Sequence, residues 1–216
     1  MEHVFLDVGL SLSAVLCIVF IIRSLKKGTL LGKILSRVLI IMLLSVVAYG
    51  VNYHSTVDKV MYFAVSACHA TYDWMLFFMM EFTCEFVGRK RGGFIRPFFI
   101  VLCALDSAAL MTSPINHFSF SYAIREGNFN DVALVAPKAL FAVHMVVGIA
   151  MILIILALLT QGIMDNSRYY RLRYEIVGIV CIMTLFFLLI FIYDDYSVLD
   201  LSKLFMGIAA VLLNVA

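Results

Sequence analysis

The sequence predicts an all-α membrane protein, built as a bundle of seven transmembrane helices. Of its 216 residues, 64% are hydrophobic and only 14% are charged, and the mean hydropathy is +1.05. This composition is too apolar for the surface of a soluble domain. Seven segments approach the roughly 20 apolar residues that a helix needs to cross about 30 Å of hydrocarbon. Charged or turn-forming residues separate these segments, so each one predicts a helix.

The seven predicted spans follow one another along a single transmembrane domain. They cover about residues 4–22, 34–53, 60–88, 94–113, 138–161, 174–193 and 201–216. No cleavable signal peptide is predicted, because the N-terminus has no positive region before its first apolar run. Pro114 is predicted to end the fourth span, since proline interrupts a helix.

The basic residues predict the orientation of the bundle. Of the 16 Lys and Arg residues, 12 lie near the connections after spans one, three and five, and 4 lie on the other side. Cytoplasmic loops are enriched in cations, so the N-terminus is predicted outside and the C-terminus in the cytoplasm. The polar connection 114–137 then lies outside. Its alternating pattern, its turn residues and its VALV run predict a small extracellular β-hairpin, or lid, between spans four and five.

The third span carries the ionisable residues His69, Asp73, Glu81 and Glu85, which form a four-residue repeat together with Phe77. Such residues are costly in lipid and normally face the protein interior or a cavity. A four-residue step drifts by about 40° on a helix with 3.6 residues per turn, so the outer and inner pairs face different directions. The inner pair is interpreted as an anchor. Its candidate partners are Arg37, Arg89 and Arg96.

Ionisable residues from three predicted spans reach the outer half of the membrane. At about 1.5 Å per residue, the expected depths are about 13 Å for His69, about 20 Å for Asp73, about 10 Å for Asp106 and about 9 Å for His144. Their convergence predicts a pocket for an extracellular or membrane-borne small molecule, with aromatic walls. The predicted ligand-binding residues are His69, Tyr72, Asp73, Trp74, Asp106 and His144. The alternative is an interhelical polar network without a ligand.

The sequence predicts no catalytic residue, no cofactor site and no metal site. Its five cysteines lie in apolar runs without CxxC or Cys/His spacing, so neither zinc nor disulfides are expected. No nucleophile elbow, phosphate loop or HExxH motif occurs. The net charge of +2 is too small to predict a nucleic-acid partner.

The order of several sequence elements resembles a known family. An aromatic third span, YDWMLFFMMEF, closes in FVGRKR; the fourth span ends before SPINHFSFSY; and GNFND precedes a fifth span that opens with PKALFAVH. This arrangement resembles the seven-helix N-terminal sensor region of bacterial histidine kinases and of diguanylate cyclases with a GGDEF domain. The resemblance implies a receptor in the bacterial inner membrane, fused to a C-terminal cytoplasmic kinase or cyclase domain and acting as a homodimer. It implies no particular ligand.

Two other classes of function stay open. Asp73-Trp74 and Lys203 resemble the carboxylate and the Schiff-base lysine that microbial rhodopsins place around retinal. However, the short acidic connection before the seventh span predicts that Lys203 lies close to the outer surface. The sixth span also lacks the tryptophans and the proline that usually enclose the chromophore. A small transporter is the third class, although the sequence shows no inverted repeat.

Overall fold

The computed structural model describes residues 2–89, 95–125, 132–165, 168–193 and 201–216. Within these residues the chain forms seven α-helices and one pair of β-strands. The helices are α1 (Glu2–Lys26), α2 (Leu30–His54), α3 (Asp58–Phe86), α4 (Ile95–Asn116), α5 (Ala139–Asp165), α6 (Arg168–Tyr193) and α7 (Leu201–Val215). The strands β1 (Phe120–Arg125) and β2 (Val132–Pro137) lie between α4 and α5.

Four of these helices, α1, α2, α4 and α5, are long and apolar enough to cross a membrane. Their outward faces carry many exposed large apolar side chains, such as Phe5, Leu105 and Val146. A surface of this kind is stable against lipid and unfavourable against water. The protein is therefore an all-α membrane protein, as its composition predicts.

The helices mostly extend past the predicted spans, because hydropathy marks only the apolar part of each helix. One predicted boundary is wrong, since Pro114 lies inside the last turn of α4. The helix continues for two residues after the proline and ends at Asn116. His117 then takes a positive φ of 54°, and its N–H donates to the carbonyl of Ser113 at 2.9 Å. Proline at this position removes the hydrogen bond to the carbonyl four residues earlier, and only two helical residues follow it.

Three predicted connections fall wholly or largely outside the described residues. These are the basic break after α3, the turn of the hairpin and the acidic connection before α7, which include residues 90–94, 126–131 and 194–200.

Helix α3 lies at the centre of the bundle and packs against α2, α4, α5 and strand β2. Its polar residues are turned inward, as the buried Ser66, Asp73, Glu81 and Thr83 show. At one end of α3, the buried Glu81 forms an ion pair with Arg96 of α4. The predicted pairing of this acidic residue with a nearby arginine is thus confirmed for Glu81.

The two strands pair in antiparallel register, from Phe120 opposite Pro137 to Arg125 opposite Val132. The hydroxyl of Tyr122 lies 2.8 Å from Ser66 Oγ on α3, and its ring stacks on Tyr62 at 4.1 Å. Burial raises the pKa of Tyr122 to about 12, so its hydroxyl stays neutral. These contacts hold the strands against one end of the bundle.

Helix α7 packs closely against α1. The Ser13 hydroxyl donates to the carbonyl of Leu204 at 3.2 Å, and Ser24 donates to Asn214 Oδ1 at 3.1 Å. A Cβ atom on Gly207 would lie 2.9 Å from Ser13 Cα and 2.8 Å from Ser13 Oγ. The absence of a side chain at Gly207 is therefore a condition of this close packing.

We expect Gly207→Ala to lower the stability of the purified protein by about 1–3 kcal/mol, because the new methyl group overpacks the α1–α7 contact. Gly178→Ala on α6 is the matched control, since nothing lies within 4 Å of its added Cβ. There the better helix propensity of alanine should raise stability by up to about 1 kcal/mol. Thermal denaturation in detergent measures both, and equal midpoints for the two variants would contradict the α1–α7 packing.

Candidate functional site

Three ionisable side chains from three helices meet inside the bundle. His144 Nδ1 on α5 lies 2.7 Å from Asp106 Oδ2 on α4 and 3.2 Å from Asp73 Oδ1 on α3. The exposed fraction of these side chains is 0% for Asp73, 2% for His144 and 11% for Asp106. We call these three residues the Asp–His cluster. It joins α3 to α4 and to α5 at one point.

Burial makes the charge of this cluster important. An ionised carboxylate without water is costly unless a cation or a proton neutralises it. Asp73 and Asp106 share a single imidazole contact, and neither oxygen of Asp73 receives a hydrogen bond. A single imidazole neutralises at most one of the two carboxylates, so the other needs a proton or a cation.

A second polar contact fixes α3 against α4 beside the cluster. The indole N–H of Trp74 donates to Ser107 Oγ at 3.0 Å. Trp74 follows Asp73 in the chain, and Ser107 follows Asp106. The indole ring itself packs against Phe77 and Phe78. Any movement of Asp106 relative to Asp73 therefore changes the surroundings of this tryptophan.

The ring of His69 packs against the ring of His144. The two imidazole rings lie 5.7 Å apart between centroids and are perpendicular. His69 also contacts the rings of Phe141 and Phe120, the latter on strand β1. His69 thus connects α3 to α5 and to the strand pair.

A cavity of about 120 Å³ lies next to His144. Helices α2, α3, α5, α6 and α7 line it together with strand β2. Its polar lining consists of Tyr49, Asn52, His69, Tyr72, His144, Thr184, Ser202 and Lys203, and its apolar lining is rich in methionine. A space of this size holds several water molecules or a small organic molecule.

The basic side chains among the described lining residues are His69, His144 and Lys203. None of these lining residues is Asp or Glu. The carboxylates of Asp73 and Asp106 lie behind His144, so His144 separates the acidic residues from the cavity. A molecule in the cavity therefore meets an apolar wall with basic and hydroxyl groups.

The six predicted ligand-binding residues divide into two groups. His69, Tyr72 and His144 line the cavity. Asp73 and Asp106 contact His144 from behind, and Trp74 packs toward α4 and does not line this cavity. The expected convergence of His69, Asp73, Asp106 and His144 is seen, whereas their role in ligand binding stays a prediction.

The sequence does not predict that α2, α7 and β2 contribute to the cavity. Lys203 lies in the first turn of α7, where it is buried with 5% exposure and lines the cavity. The Asn52 side chain donates to the carbonyl of Ala133 on β2 at 3.4 Å. The polar ends of the second and seventh spans could have indicated these contributions, because both ends lie on the same predicted side of the membrane as the predicted hairpin.

The fold and the site define the class of the protein as an all-α membrane protein with a buried Asp–His cluster beside a cavity. Comparison with the known protein families gives no match, and no curated protein is significantly similar in sequence.

We expect the native thiol of Cys68 to report on access to the cavity, because it lines the cavity while Cys17 and Cys103 do not. In variants that retain one cysteine each, a small membrane-permeant methanethiosulfonate should modify Cys68 at least about tenfold faster than the two controls, since thiol reactivity follows access. Intact-mass spectrometry gives the rates. Equal rates at all three positions would show that the cavity is closed to small molecules.

Proposed function

We propose that this chain is the sensory module of a transmembrane receptor in the bacterial inner membrane. It binds a small extracellular or membrane-borne ligand in the cavity and signals to a C-terminal cytoplasmic kinase or diguanylate cyclase domain. Its seven helices span the bilayer with the N-terminus outside. The observation that supports this proposal most is that His144 belongs both to the cavity wall and to the Asp–His cluster.

This shared position of His144 provides a route from ligand binding to helix packing. A ligand that hydrogen-bonds to His144 changes how strongly its imidazole holds the carboxylates of Asp73 and Asp106. Because these groups stand on three helices, the change alters the relative free energies of different packings of α3, α4 and α5. The ligand shifts this equilibrium by no more than its difference in affinity for the two packings.

Helix α3 carries the change toward the cytoplasmic side in this proposal. It runs from the cavity, at His69 and Tyr72, to the buried ion pair of Glu81 with Arg96. The same two helices, α3 and α4, are thus linked by polar contacts at both levels. A change in their packing near Asp106 is therefore transmitted to the inner end, where basic residues cluster in the sequence.

The strand pair acts as an extracellular lid. Residues Ala133, Leu134 and Val135 of β2 line the cavity, and Tyr122 of β1 holds the pair on α3. A ligand that enters from outside therefore passes this element. The receptor works as a homodimer with a fused output domain, as the resemblance to sensor regions implies.

We expect Asp106→Asn and His144→Gln to change the output of the full-length receptor by roughly tenfold, which is a typical coupling between two sites. The reason is that each change weakens the Asp–His cluster that couples the cavity to helix packing. Autophosphorylation or cyclic-di-GMP synthesis in membranes measures the output, and cysteine accessibility confirms correct insertion.

His54→Gln is the matched control for these two changes. His54 Nε2 lies 3.1 Å from Asp7 Oδ1, but both side chains are largely exposed, at 57% and 45%. Exposed pairs contribute little, so the control should retain the normal output. Unchanged output in both Asp106→Asn and His144→Gln would show that the cluster takes no part in signalling.

A retinal-binding photoreceptor is the second candidate function. The supporting observation is that Lys203 is buried and lines the cavity beside aromatic residues such as Tyr72 and Phe187. In this case all-trans-retinal should produce a visible absorption band that is lost in Lys203→Ala. Lys138→Ala is the control, because Lys138 is exposed and donates to the carbonyl of His117. Absence of any band in the unaltered protein would exclude this function.

A further inference from the structure

We propose that Asp73, Asp106 and His144 form a binding site for a divalent transition-metal ion, with Zn²⁺ as the ion that fits best. The proposal concerns the Asp–His cluster itself and holds whether or not a ligand occupies the cavity. One atom from each of the three residues lies within 4.8 Å of the other two. The donors come from three different helices, so the ion would join α3, α4 and α5.

The distances agree with tetrahedral coordination after a small adjustment. Metal–ligand bonds of about 2.0–2.2 Å to nitrogen and oxygen imply roughly 3.3 Å between neighbouring ligand atoms. The distance from His144 Nδ1 to Asp73 Oδ1 is already 3.2 Å, whereas that to Asp106 Oδ2 is 2.7 Å. Asp106 would have to move outward by about half an ångström. It is the most exposed of the three side chains and has the most room to move.

An independent observation points to a missing ligand at Asp73. Both of its side-chain oxygens are buried and receive no hydrogen bond, although Oδ1 contacts the His144 ring. The contact with His144 at 3.2 Å offsets only part of the desolvation cost of this carboxylate. Coordination of a cation would satisfy these oxygens, and a buried aspartate with free lone pairs beside an imidazole is a good ligand pair for zinc.

The charge of the cluster supports the same conclusion. With a neutral imidazole, two carboxylates carry a charge of −2 in a site that is almost closed to water. One divalent cation brings the sum to zero, and so does protonation of the imidazole together with one carboxyl group. A divalent ion is therefore one of two ways to neutralise this nearly buried site.

The chemistry of the donors narrows the kind of ion. One imidazole nitrogen and two carboxylate oxygens suit Zn²⁺, Mn²⁺ or Fe²⁺, whereas Mg²⁺ and Ca²⁺ prefer sites of oxygen alone. No thiolate is among the three donors, which argues against Cu⁺. Three protein ligands leave a fourth position for water or for a group of another molecule.

Trp74 provides a built-in probe for this site. It is the one tryptophan of the chain, it follows Asp73, and its indole bonds to the residue that follows Asp106. Purified protein in detergent would be dialysed against chelator and titrated with Zn²⁺ while the tryptophan fluorescence is recorded. Elemental analysis after removal of free metal gives the stoichiometry. We expect one Zn²⁺ per chain and a saturable change in fluorescence.

Variants of the proposed ligand residues test where the ion binds. Asp106→Asn and His144→Gln should each lower the affinity for Zn²⁺ by at least about tenfold, a loss in the range known for ligand-shell changes. His54→Gln, which alters the exposed His–Asp pair, should bind as the unaltered protein does. Far-UV circular dichroism verifies that each variant is folded, and Asp106→Asn is the decisive variant because this partly exposed residue tolerates substitution best.

Three results would overturn the proposal. The first is equal Zn²⁺ affinity in the unaltered protein and in folded Asp106→Asn, and the second is loss of binding only in His54→Gln. The third is no retained ion and no fluorescence response to Zn²⁺ or Mn²⁺, which would mean that protons alone neutralise the cluster. Displacement of Zn²⁺ by an equal concentration of Mg²⁺ would likewise contradict the assignment to a transition metal.

Discussion

The burial of two carboxylates against one imidazole is the constraint on which the rest of this structure depends. Asp73, Asp106 and His144 can share a site with so little water only if their three helices hold a fixed distance and the charges balance. The surrounding contacts meet the first condition. Trp74 joins α3 to α4 beside the cluster, and the ring of His69 on α3 packs against His144 on α5. The second condition is met by a bound cation or by protons, and it makes this point of the bundle sensitive to its chemical surroundings.

Much of the fold can be predicted from the sequence, because the composition and length of the apolar segments indicate membrane-spanning helices. The helical segments are found near the predicted spans, and the β-friendly run of 132–135 lies in a strand. The site follows only in part. Ionisable residues inside apolar runs predict that Asp73, Asp106 and His144 lie inward, since lipid excludes charge. Their pairing through a single nitrogen depends on how three helices are rotated, and no local pattern encodes these rotations.

Other features escape the sequence for similar reasons. Lys203 has an ordinary position near a helix start, and only the packing of α7 against α1 and α2 turns it into the cavity. The proposed metal site is also not predicted by the sequence. Its donors are separated by 33 residues (73 to 106) and by 38 residues (106 to 144), and they form no motif. Pro114 marks a helix end only approximately, since the last turn of α4 tolerates it.

The place of the strand pair in the chain has a mechanical consequence. Strand β1 follows the helix of Asp106, and strand β2 precedes the helix of His144. Ser113 clamps the first junction by donating to the carbonyl of Phe120 at 2.9 Å. The strand pair therefore leads at its two ends into α4 and α5, the two helices that make the closest contact in the cluster. A movement of the strand pair would act on both helices together and would reach the buried imidazole through the covalent chain.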